Sequence, residues 1–354
     1  MNTIIFFTAN LGKGGAERVL VTLANNIAKK EKYKVKIALV KKQGYYLDFV
    51  DSRIEIIDFN AKGTLFVFLP LVQYLKSFKG RVHLISFLGY VNVIAILATL
   101  FSGKRKSIDL IVSERNHIPW GVTLKNKVIF LLQKILYKKC DSIITIAHSI
   151  TDEIIEKLNV PKENVYTIYN PISTDGKQIK DLGLVKPEVP VFVSAGRLIP
   201  VKNFQLLIEA FSIVRKKIQC KLWIFGEGNE LGNLKKTVDE KKLSDDVLFW
   251  GFVDNPINYF KYADIYVCSS LSEGFGNVII EAMISKIKVV STDCGGPSEI
   301  LENGKWGSIV KSNSPESLAS AMIEQLSKAT PNYENRLKDF SLEQIVEQYL
   351  EVLK

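Results

Sequence analysis

Short apolar runs alternate with amphipathic segments along most of the chain. The run TIIFFT at residues 3–8 predicts a buried strand, and apolar side chains spaced three and four apart over residues 15–30 predict a helix. The later runs HLISF, LIVSE and SIITIA are each followed by further helical patterning. Because strands and helices alternate, the pattern predicts an α/β fold with parallel sheets.

A polar stretch interrupts this alternation near the middle of the 354-residue chain, which exceeds the usual size of one hydrophobic core. The segment YNPISTDGKQIKDLGLVKPEVP contains three prolines and little periodicity, which is typical of a linker. Strand and helix patterns resume at VPVFVSAGR, and the closing SLEQIVEQYLEVL has the spacing of an amphipathic helix. We therefore predict a first domain over residues 1–169, a linker over 170–188, a second domain over 189–339, and a C-terminal helix over 340–354 that can pack back on the first domain.

The composition is that of an ordinary globular protein, with 47% hydrophobic and 24% charged residues. No apolar run reaches the ~18 to 20 residues that span a bilayer, and the N-terminus lacks the basic and apolar regions of a secretory signal. Four cysteines lie far apart in the sequence without the spacing of a zinc site. We therefore expect a protein of the reducing cytoplasm.

Charge is distributed unevenly between the two halves of the chain. Residues 1–184 carry 27 Lys and Arg against 15 Asp and Glu, a net charge of +12, and the remainder is close to neutral. A basic half indicates an anionic partner, for which the classes are phospholipid headgroups, a pyrophosphate-linked lipid or nucleic acid. The alternative is a lysine-rich solvated surface without a specific partner.

The segment SEGFGNVIIEAM carries two glutamates on either side of a glycine-rich turn and a helix start. Gly274 and Gly276 allow the backbone to approach a ligand closely, and a helix that begins near Asn277 presents amide groups suited to a phosphate. Carboxylates such as Glu273 and Glu281 repel phosphate and suit sugar hydroxyls instead. The arrangement fits a diphosphate with a sugar at each end, as in a nucleotide sugar. The alternative is a capped helix with two surface glutamates.

Three other stretches follow predicted strands and are candidates for the same ligand. In SAGRLIPVKN, Arg197 and Lys202 are two cations that can offset charge on a leaving diphosphate without a metal. FWGFV, residues 249–253, ends a strand whose loop can contact a base, although the stretch taken by itself favours a plain core strand. VSERNHIPWG crowds ionisable groups at a strand end, which is typical of a cleft but also of an ordinary polar loop.

The turn LGKGGAER opens the first predicted helix and is a general signal for close approach of the backbone to an anion. It is not a dinucleotide fingerprint, because Glu17 stands where the third glycine is required and Lys41 and Lys42 stand where the second strand should end in an acid. No Gly-Lys-Ser/Thr loop of the nucleoside triphosphatases occurs either. These departures argue against a nucleotide-dependent dehydrogenase.

Taken together, these motifs resemble the retaining glycosyltransferases of family 4. EGFGNVIIE fits the E-x7-E motif of that family, and GGAER, SERNH, YNPI, SAGRLIPVKN, FGEGNE and DCGGPSEI match it in the same order over nearly the whole chain. GGAER and SERN look most like the bacterial subgroup that builds lipid-linked oligosaccharides, O-antigens and capsules. The resemblance implies a GT-B fold, in which two Rossmann-like domains with parallel sheets face each other across a cleft.

The resemblance also implies a role for individual residues. Glu273 would contact the donor hexose and Glu281 the ribose, while Arg197 and Lys202 would bind the diphosphate. A histidine of the first domain often lies near the donor sugar in this family; SERNH offers Asn116 or His117 for that place, and His117 is our candidate. The remaining donor contacts would come from Gly14, Gly15, Phe252, Val253, and the backbone of Gly274, Phe275, Gly276, Asn277 and Val278.

The reaction implied by the resemblance is transfer of a hexose or N-acetylhexosamine from a nucleoside-diphosphate sugar, with UDP as the expected nucleotide, and with retention at the anomeric carbon. The acceptor would be a growing bacterial glycan or a polyprenyl-diphosphate-linked saccharide. No metal or other cofactor is expected, because the family typically needs none and no Asp-x-Asp follows a predicted strand. Nucleic acid is not an expected partner. The alternative function is a catalytically inactive GT-B protein that binds a membrane or a partner protein.

Two basic segments of the first domain mix apolar residues and lysines at helical spacing. They are LFVFLPLVQYLKSFKGR, residues 65–81, and TLKNKVIFLLQKILYKKC, residues 123–140. Such helices can lie in the interface of an anionic membrane, and many family members act on lipid-linked acceptors. The competing interpretation is that Val128, Leu131, Leu132, Ile135 and Leu136 form a core stripe. We expect peripheral binding at the inner face of the plasma membrane.

Overall fold

The computed structural model describes residues 2–118, 123–172, 180–311 and 313–353. Part of the predicted linker, residues 173–179, lies outside the described residues, as do residues 119–122 after the SERNH motif. The chain divides into two compact units. The first contains Met1–Ser173 together with Phe340–Lys354, and the second contains Thr174–Asp339.

The first unit has a seven-stranded parallel sheet in the order β3-β2-β1-β4-β5-β6-β7. The chain runs from β1 to β2 on one side and places β4 on the other, so the strand order reverses at the β1/β4 boundary. Its elements are β1 (Thr3–Thr8), α1 (Gly15–Lys29), β2 (Lys34–Leu39), β3 (Glu55–Asp58), α2 (Phe68–Lys76), β4 (Val82–Phe87), α3 (Gly89–Phe101), β5 (Ile108–Glu114), α4 (Leu124–Leu136), β6 (Ser142–Thr145), α5 (His148–Leu158) and β7 (Val165–Thr167).

The second unit has a six-stranded parallel sheet in the order β10-β9-β8-β11-β12-β13. Its strand order reverses between β8 and β11. The elements are β8 (Val191–Ala195), α6 (Phe204–Lys217), β9 (Lys221–Phe225), α7 (Leu231–Glu240), β10 (Val247–Gly251), α8 (Ile257–Phe260), β11 (Ile265–Cys268), α9 (Asn277–Ile284), β12 (Lys288–Thr292), α10 (Gly296–Ile300), β13 (Ser308–Val310), α11 (Pro315–Ser327) and α12 (Glu334–Lys338).

The last helix, α13 (Leu342–Val352), belongs to the first unit. Its buried residues Ile345, Val346 and Tyr349 share one hydrophobic cluster with α1 and the strands β1 and β2. These positions are one, three and four residues apart, so they lie on a single face of the helix. The chain therefore returns to its first unit after completing the second.

The central strands are buried because both faces of each sheet are covered by helices. All six residues of β4 are buried, and five of the six residues of β1 are buried. Strands covered on both faces read as continuous apolar runs rather than as an alternation. This is why the short apolar runs in the sequence predicted the α/β class correctly, with two Rossmann-like parallel sheets.

The apolar residues of α4 do not all belong to the core, as the competing interpretation of this segment required. Val128, Leu131 and Ile135 are exposed, whereas Leu132 is half-buried and Leu136 is buried. The stripe is therefore split, and its exposed part does not contribute to the core. Within the ranges that the structure describes, no helix is long and apolar enough to cross a membrane.

Candidate active site

The carboxyl ends of β8 and β11 form the strand-order reversal of the second sheet. Ligands of open α/β sheets bind in the crevice at such a reversal, because the two loops leave in opposite directions there. Arg197 and Lys202 follow β8, and Glu273 follows β11. The topology thus brings together two of the motifs that the sequence singled out separately.

Lys202 and Glu273 contact each other directly. The Lys202 ammonium donates a hydrogen bond to the Glu273 carboxylate, and both side chains are about one-fifth exposed. The two loops are joined as well, because the Leu271 amide donates to the Val201 carbonyl at 2.9 Å and the Ser269 hydroxyl donates to the Lys202 carbonyl at 3.1 Å. A cation and a carboxylate are therefore adjacent at the carboxyl edge of the second sheet.

A pocket of the second unit is lined by Lys202, Glu273, Gly276 and Val278, among other residues. Gly276 is the N-cap of α9 and has φ +103°, a conformation that favours glycine. No side chain caps this helix. The Ile279 amide donates to the Gly276 carbonyl at 2.9 Å, and the N-terminus of a helix is the positive end of its dipole, which attracts an anion. The pocket thus offers both a positive helix end and a lysine.

Glu281 lies in the middle of α9 and is only 5% exposed. It does not line the pocket that contains Glu273. The two glutamates of the E-x7-E segment therefore occupy different environments: one belongs to a loop beside a lysine, and the other to the buried face of a helix.

The loop that carries Glu273 is held by residues after β12. The Glu273 amide donates to the Cys294 carbonyl at 2.8 Å, and the Gly296 amide donates to the Glu273 carbonyl at 3.0 Å. A Cβ on Gly296 would lie 2.4 Å from the Phe275 Cα, so only glycine fits there. Neither Cys294 nor Gly296 is among the predicted site residues, although two consecutive glycines after a predicted strand in DCGGPSEI are a signal of close backbone approach.

The loop that carries Arg197 is built in a similar way. Gly226 has φ +130°, and a Cβ there would lie 1.9 Å from the Gly196 carbonyl oxygen. A Cβ on Gly228 would lie 2.1 Å from the Leu198 carbonyl oxygen. The glycines of FGEGNE therefore let the β9 loop pack against the backbone on both sides of Arg197, whose own side chain is exposed.

Phe252 and Val253 follow β10 and are half-buried. Neither lines the pocket that contains Lys202 and Glu273. Their assignment to the base of a nucleotide stays a prediction, as does the assignment of Glu281 to a ribose.

The predicted anion-binding turn of the first unit lies at the start of α1. Gly14 is the N-cap with extended backbone, and Gly15 is the first helical residue. A Cβ on Gly14 would lie 2.1 Å from Glu17 Oε2, so the glycine leaves room for this carboxylate to fold back over the turn. Glu17, which stands where a dinucleotide fingerprint requires glycine, therefore places a carboxylate beside the predicted anion-binding turn.

His117 is held by a glutamate that the sequence did not indicate. Its Nδ1 lies 2.8 Å from Glu153 Oε2, and Lys157 donates to the other oxygen of Glu153 at 2.7 Å. Burial raises the pKa of Glu153, but the hydrogen bonds from His117 and Lys157 together lower it to about 2. An ionised Glu153 accepts a hydrogen bond from the Nδ1–H group of His117, which leaves Nε2 as the other functional atom of the ring. Asn116 is exposed.

Glu114 and Arg115 lie in the interior instead of in a cleft. Each is 4% exposed, and the Arg115 guanidinium lies 4.7 Å from the centre of the Phe87 ring. Tyr137 donates its hydroxyl to Glu114 at 2.6 Å. Burial raises the pKa of Glu114 to about 7. The crowding of ionisable groups in SERNH therefore has two sources, a buried polar network and a partly exposed histidine.

All four cysteines are free and buried. Cys268 is the last residue of β11 and Cys294 follows the neighbouring strand β12, and the hydrogen bond from the Cys294 thiol lowers the pKa of Cys268. In the described part of the chain, no group of three or more His, Cys, Asp or Glu side chains has an arrangement that could hold a metal ion.

Two family descriptions match the chain. Residues 13–175 match Glycosyltransferase Family 4, and residues 177–342 match Glycosyl transferases group 1. Each match falls almost entirely within one of the two units, and together they extend over most of the chain.

Two Campylobacter jejuni enzymes are similar to the chain over nearly its full length. One is N-acetylgalactosamine-N,N'-diacetylbacillosaminyl-diphospho-undecaprenol 4-alpha-N-acetylgalactosaminyltransferase, 27% identical over 353 residues, covering 96% of this chain and 94% of that protein. The other is GalNAc-alpha-(1->4)-GalNAc-alpha-(1->3)-diNAcBac-PP-undecaprenol alpha-1,4-N-acetyl-D-galactosaminyltransferase, 26% identical over 370 residues, covering 100% and 98%.

A solved structure with the same fold is Anabaena HepE in complex with UDP and glucose. It has a TM-score of 0.81 and covers 99% of both chains, at 19% sequence identity.

Proposed function

The chain belongs to the GT-B glycosyltransferases, with a family 4 domain followed by a group 1 domain, and on that premise we propose that it moves a hexose or N-acetylhexosamine from a nucleoside-diphosphate sugar to a growing bacterial glycan. The observation that carries this proposal is the contact between Lys202 and Glu273 beside the N-terminus of α9. A cation, a carboxylate and helix amides at one sheet edge suit a diphosphate joined to a sugar.

We assign the diphosphate to Lys202, Arg197 and the first amides of α9. Negative charge grows on the leaving diphosphate as the glycosidic bond breaks, and fixed positive groups stabilise the transition state more than the bound donor. This supports catalysis by the residues themselves, and we propose that no metal ion is needed. UDP is our proposed nucleotide, supported by the similarity in fold to HepE, which was solved with UDP and glucose.

We assign the transferred sugar to Glu273 and the ribose to Glu281. Carboxylates accept hydrogen bonds from hydroxyl pairs, and the burial of Glu281 would make such bonds hard for water to replace. For the anomeric outcome we propose retention, with the leaving phosphate taking the proton of the incoming hydroxyl on the same face of the sugar. His117, oriented by Glu153, is our candidate from the first unit for a contact with this sugar.

A saccharide linked to a polyprenyl diphosphate is our proposed acceptor. The two Campylobacter relatives are both named for transfer to saccharides linked to undecaprenol through a diphosphate. The basic first half of the chain is consistent with an anionic acceptor. Because such an acceptor is anchored in a bilayer, we further propose a cytoplasmic protein that binds peripherally to an anionic membrane.

The experiment that tests the proposed activity is a panel of UDP-, dTDP- and GDP-sugars. One donor should raise the melting temperature, since a ligand that binds only the folded state stabilises it, and should be hydrolysed slowly to free nucleoside diphosphate. The anomeric configuration of the released sugar, read by NMR before mutarotation, tests retention. Treatment with EDTA should leave the rate unchanged, whereas loss of activity that manganese restores would contradict metal-free catalysis.

The negative control for this panel is the double variant Lys202→Met, Glu273→Gln, which removes both members of the contact. The positive control is Lys216→Met, which changes an exposed lysine at the end of α6. If no nucleotide sugar stabilises the wild-type chain or is turned over, the inactive binding protein becomes the better interpretation.

A further inference from the structure

The helix α4 exposes a line of large apolar side chains. Leu124, Val128, Leu131 and Ile135, here called the α4 stripe, are between 49% and 79% exposed. They are spaced four, three and four residues apart, so they form one row along the helix surface. Exposed apolar side chains that cluster in this way mark a surface that binds a partner or a membrane.

The buried face of α4 includes a polar side chain, that of Gln133. Gln133 is 2% exposed, and its side-chain amide donates to the Tyr137 hydroxyl at 3.1 Å and to Glu114 at 3.3 Å. An ordinary surface helix turns its apolar stripe toward the core and its polar residues toward water. In α4 the inward face carries the polar Gln133 beside Leu136, while the α4 stripe points outward. The stripe is therefore not explained by the folding of the first unit.

Lysines border the α4 stripe on both sides. Lys127, Lys134 and Lys138 project along one flank, and Lys125 and Lys139 along the other, given 3.6 residues per turn. All five are exposed, and the sequence has no Asp or Glu between Glu114 and Asp141. The apolar row thus lies within a strongly positive surface.

A second group of exposed apolar residues lies in the same layer of helices. Leu65, Phe66, Leu69 and Phe101, here called the Phe66 cluster, are 65% to 77% exposed. Phe101 ends α3 and packs edge-on against Phe68 of α2, with ring centroids 5.8 Å apart. Because α3 packs against both α2 and α4, the helix that ends in Phe101 lies next to the helix that carries the stripe. Leu65 and Phe66 directly precede α2, and Leu69 lies in its first turn.

We propose that the α4 stripe and the Phe66 cluster enter the interfacial region of an anionic lipid bilayer, with the flanking lysines at the lipid phosphates. Lysines beside an apolar row suit this partner, because their stems lie along apolar surface while their ammonium groups reach the headgroups. The absence of acidic residues in this stretch of sequence suits an anionic leaflet better than a mixed-charge protein surface. The inference rests on the proposed lipid-linked acceptor as its biological reason, but its test does not require catalysis.

The test is co-sedimentation of the whole chain with vesicles of phosphatidylcholine alone and of phosphatidylcholine with 30% phosphatidylglycerol. The wild-type chain should bind the anionic vesicles, and binding should fall at high salt. Leu131→Ser, Ile135→Ser should reduce the partition coefficient at least about tenfold. Lys127→Gln, Lys134→Gln, Lys138→Gln should reduce it by about fivefold for each lysine removed.

Two matched controls carry equivalent changes on exposed positions of the second unit. Val185→Ser, Leu248→Ser removes two exposed apolar side chains, and Lys216→Gln, Lys217→Gln, Lys235→Gln removes three exposed charges. Both should bind vesicles as the wild type does. All variants should keep the wild-type melting temperature and rate of nucleotide-sugar hydrolysis, so a failure of membrane binding is distinguishable from a failure of the proposed activity.

Three outcomes overturn the inference. The first is a wild-type chain that ignores both kinds of vesicle, and the second is a stripe variant that binds as tightly as the wild type. The third is a chain that dimerises in solution, becomes monomeric when the α4 stripe is changed and never binds vesicles, which would assign the surface to a second copy. Equal binding to neutral and anionic vesicles would overturn the role of the lysines.

Discussion

Lys202 and Glu273 are 71 positions apart in the chain, yet their side chains are hydrogen bonded at the carboxyl edge of the second sheet. Each neutralises the charge of the other in the absence of a ligand. A diphosphate that binds here competes with Glu273 for the lysine, and the carboxylate that it displaces becomes free to accept hydrogen bonds from sugar hydroxyls. The pair thus links the two halves of the proposed donor.

Lys202→Met should lower kcat at saturating donor by about 10²-fold, the usual effect of removing one group that stabilises developing charge. Lys202→Arg should retain more activity because it preserves the positive charge. Lys216→Met serves as the surface control and should have no effect. Steady-state kinetics with the donor found in the nucleotide-sugar panel provides the measurement. An unchanged kcat in Lys202→Met would remove this residue from the proposed mechanism.

Glu281→Ala should weaken binding of free UDP by about tenfold or more, because hydrogen bonds to a charged group contribute roughly 1.5 to 3 kcal/mol. Isothermal titration calorimetry measures this directly. Glu240→Ala, which changes an exposed glutamate at the end of α7, is the control and should bind UDP normally. A folded Glu281→Ala chain with wild-type affinity would contradict the ribose assignment.

Glu153→Gln should lower kcat/KM without changing UDP affinity, if Glu153 acts by orienting His117. The two changes should also be non-additive: His117→Ala and the double variant should have nearly the same kcat/KM, since the glutamate acts through the histidine. Losses that add independently would show that Glu153 acts in some other way.

The same pair predicts a stability effect in acid. The pKa of Glu153 is lowered to about 2 in the folded chain, so its stabilising contribution is complete above about pH 4.5 and is lost as pH falls toward 2. The difference in melting temperature between wild type and Glu153→Gln should therefore shrink over that window. A difference that stays constant down to pH 2 would count against an ionised, hydrogen-bonded Glu153.

Gly296→Ala should destabilise the second unit and reduce activity together. The new Cβ would lie 2.4 Å from the Phe275 Cα and 2.7 Å from the Gly274 carbonyl oxygen, and neither backbone atom can move without shifting the loop that carries Glu273. Overpacking of this kind costs about 1 to 3 kcal/mol. Gly232→Ala in α7 is the control, since nothing lies within 4 Å of its Cβ; it should be neutral or stabilising by up to about 1 kcal/mol. Thermal melts and donor hydrolysis distinguish the two.

Glu114 should make the stability of the chain fall as pH rises. Burial raises its pKa to about 7, so between about pH 4.5 and 7 the folded chain keeps a proton that the unfolded chain releases. The resulting loss is on the order of 3 kcal/mol at most, because one pKa unit corresponds to about 1.4 kcal/mol. Glu114→Gln should remove this slope, and Glu240→Gln should not. Denaturant melts at pH 5 and pH 8 measure the difference, and parallel slopes for wild type and Glu114→Gln would rule out a protonated Glu114.

The sequence by itself determined the fold class and the order of the elements. Buried strands of a parallel sheet are continuous apolar runs, and surface helices are amphipathic. The local pattern of apolar and polar residues was therefore enough to predict both kinds of element. The sequence also predicted the glycine-rich turn at Gly274 and Gly276 and the helix that follows it. A backbone conformation such as φ +103° at Gly276 favours glycine, so the turn is visible in the local choice of residues.

Only the tertiary structure decided which residues meet. Strand order is set by packing between distant segments, so the sequence could not show that β8 and β11 are neighbours, nor that Lys202 contacts Glu273 or Cys294 supports the Glu273 loop. The partnership of His117 with Glu153 is of the same kind, since Glu153, on α5, lies 36 residues away from the histidine. The α4 stripe shows the limit most clearly: periodicity reveals that a helix has an apolar row, but burial depends on what lies against it, and here Gln133 faces the interior while the stripe is exposed.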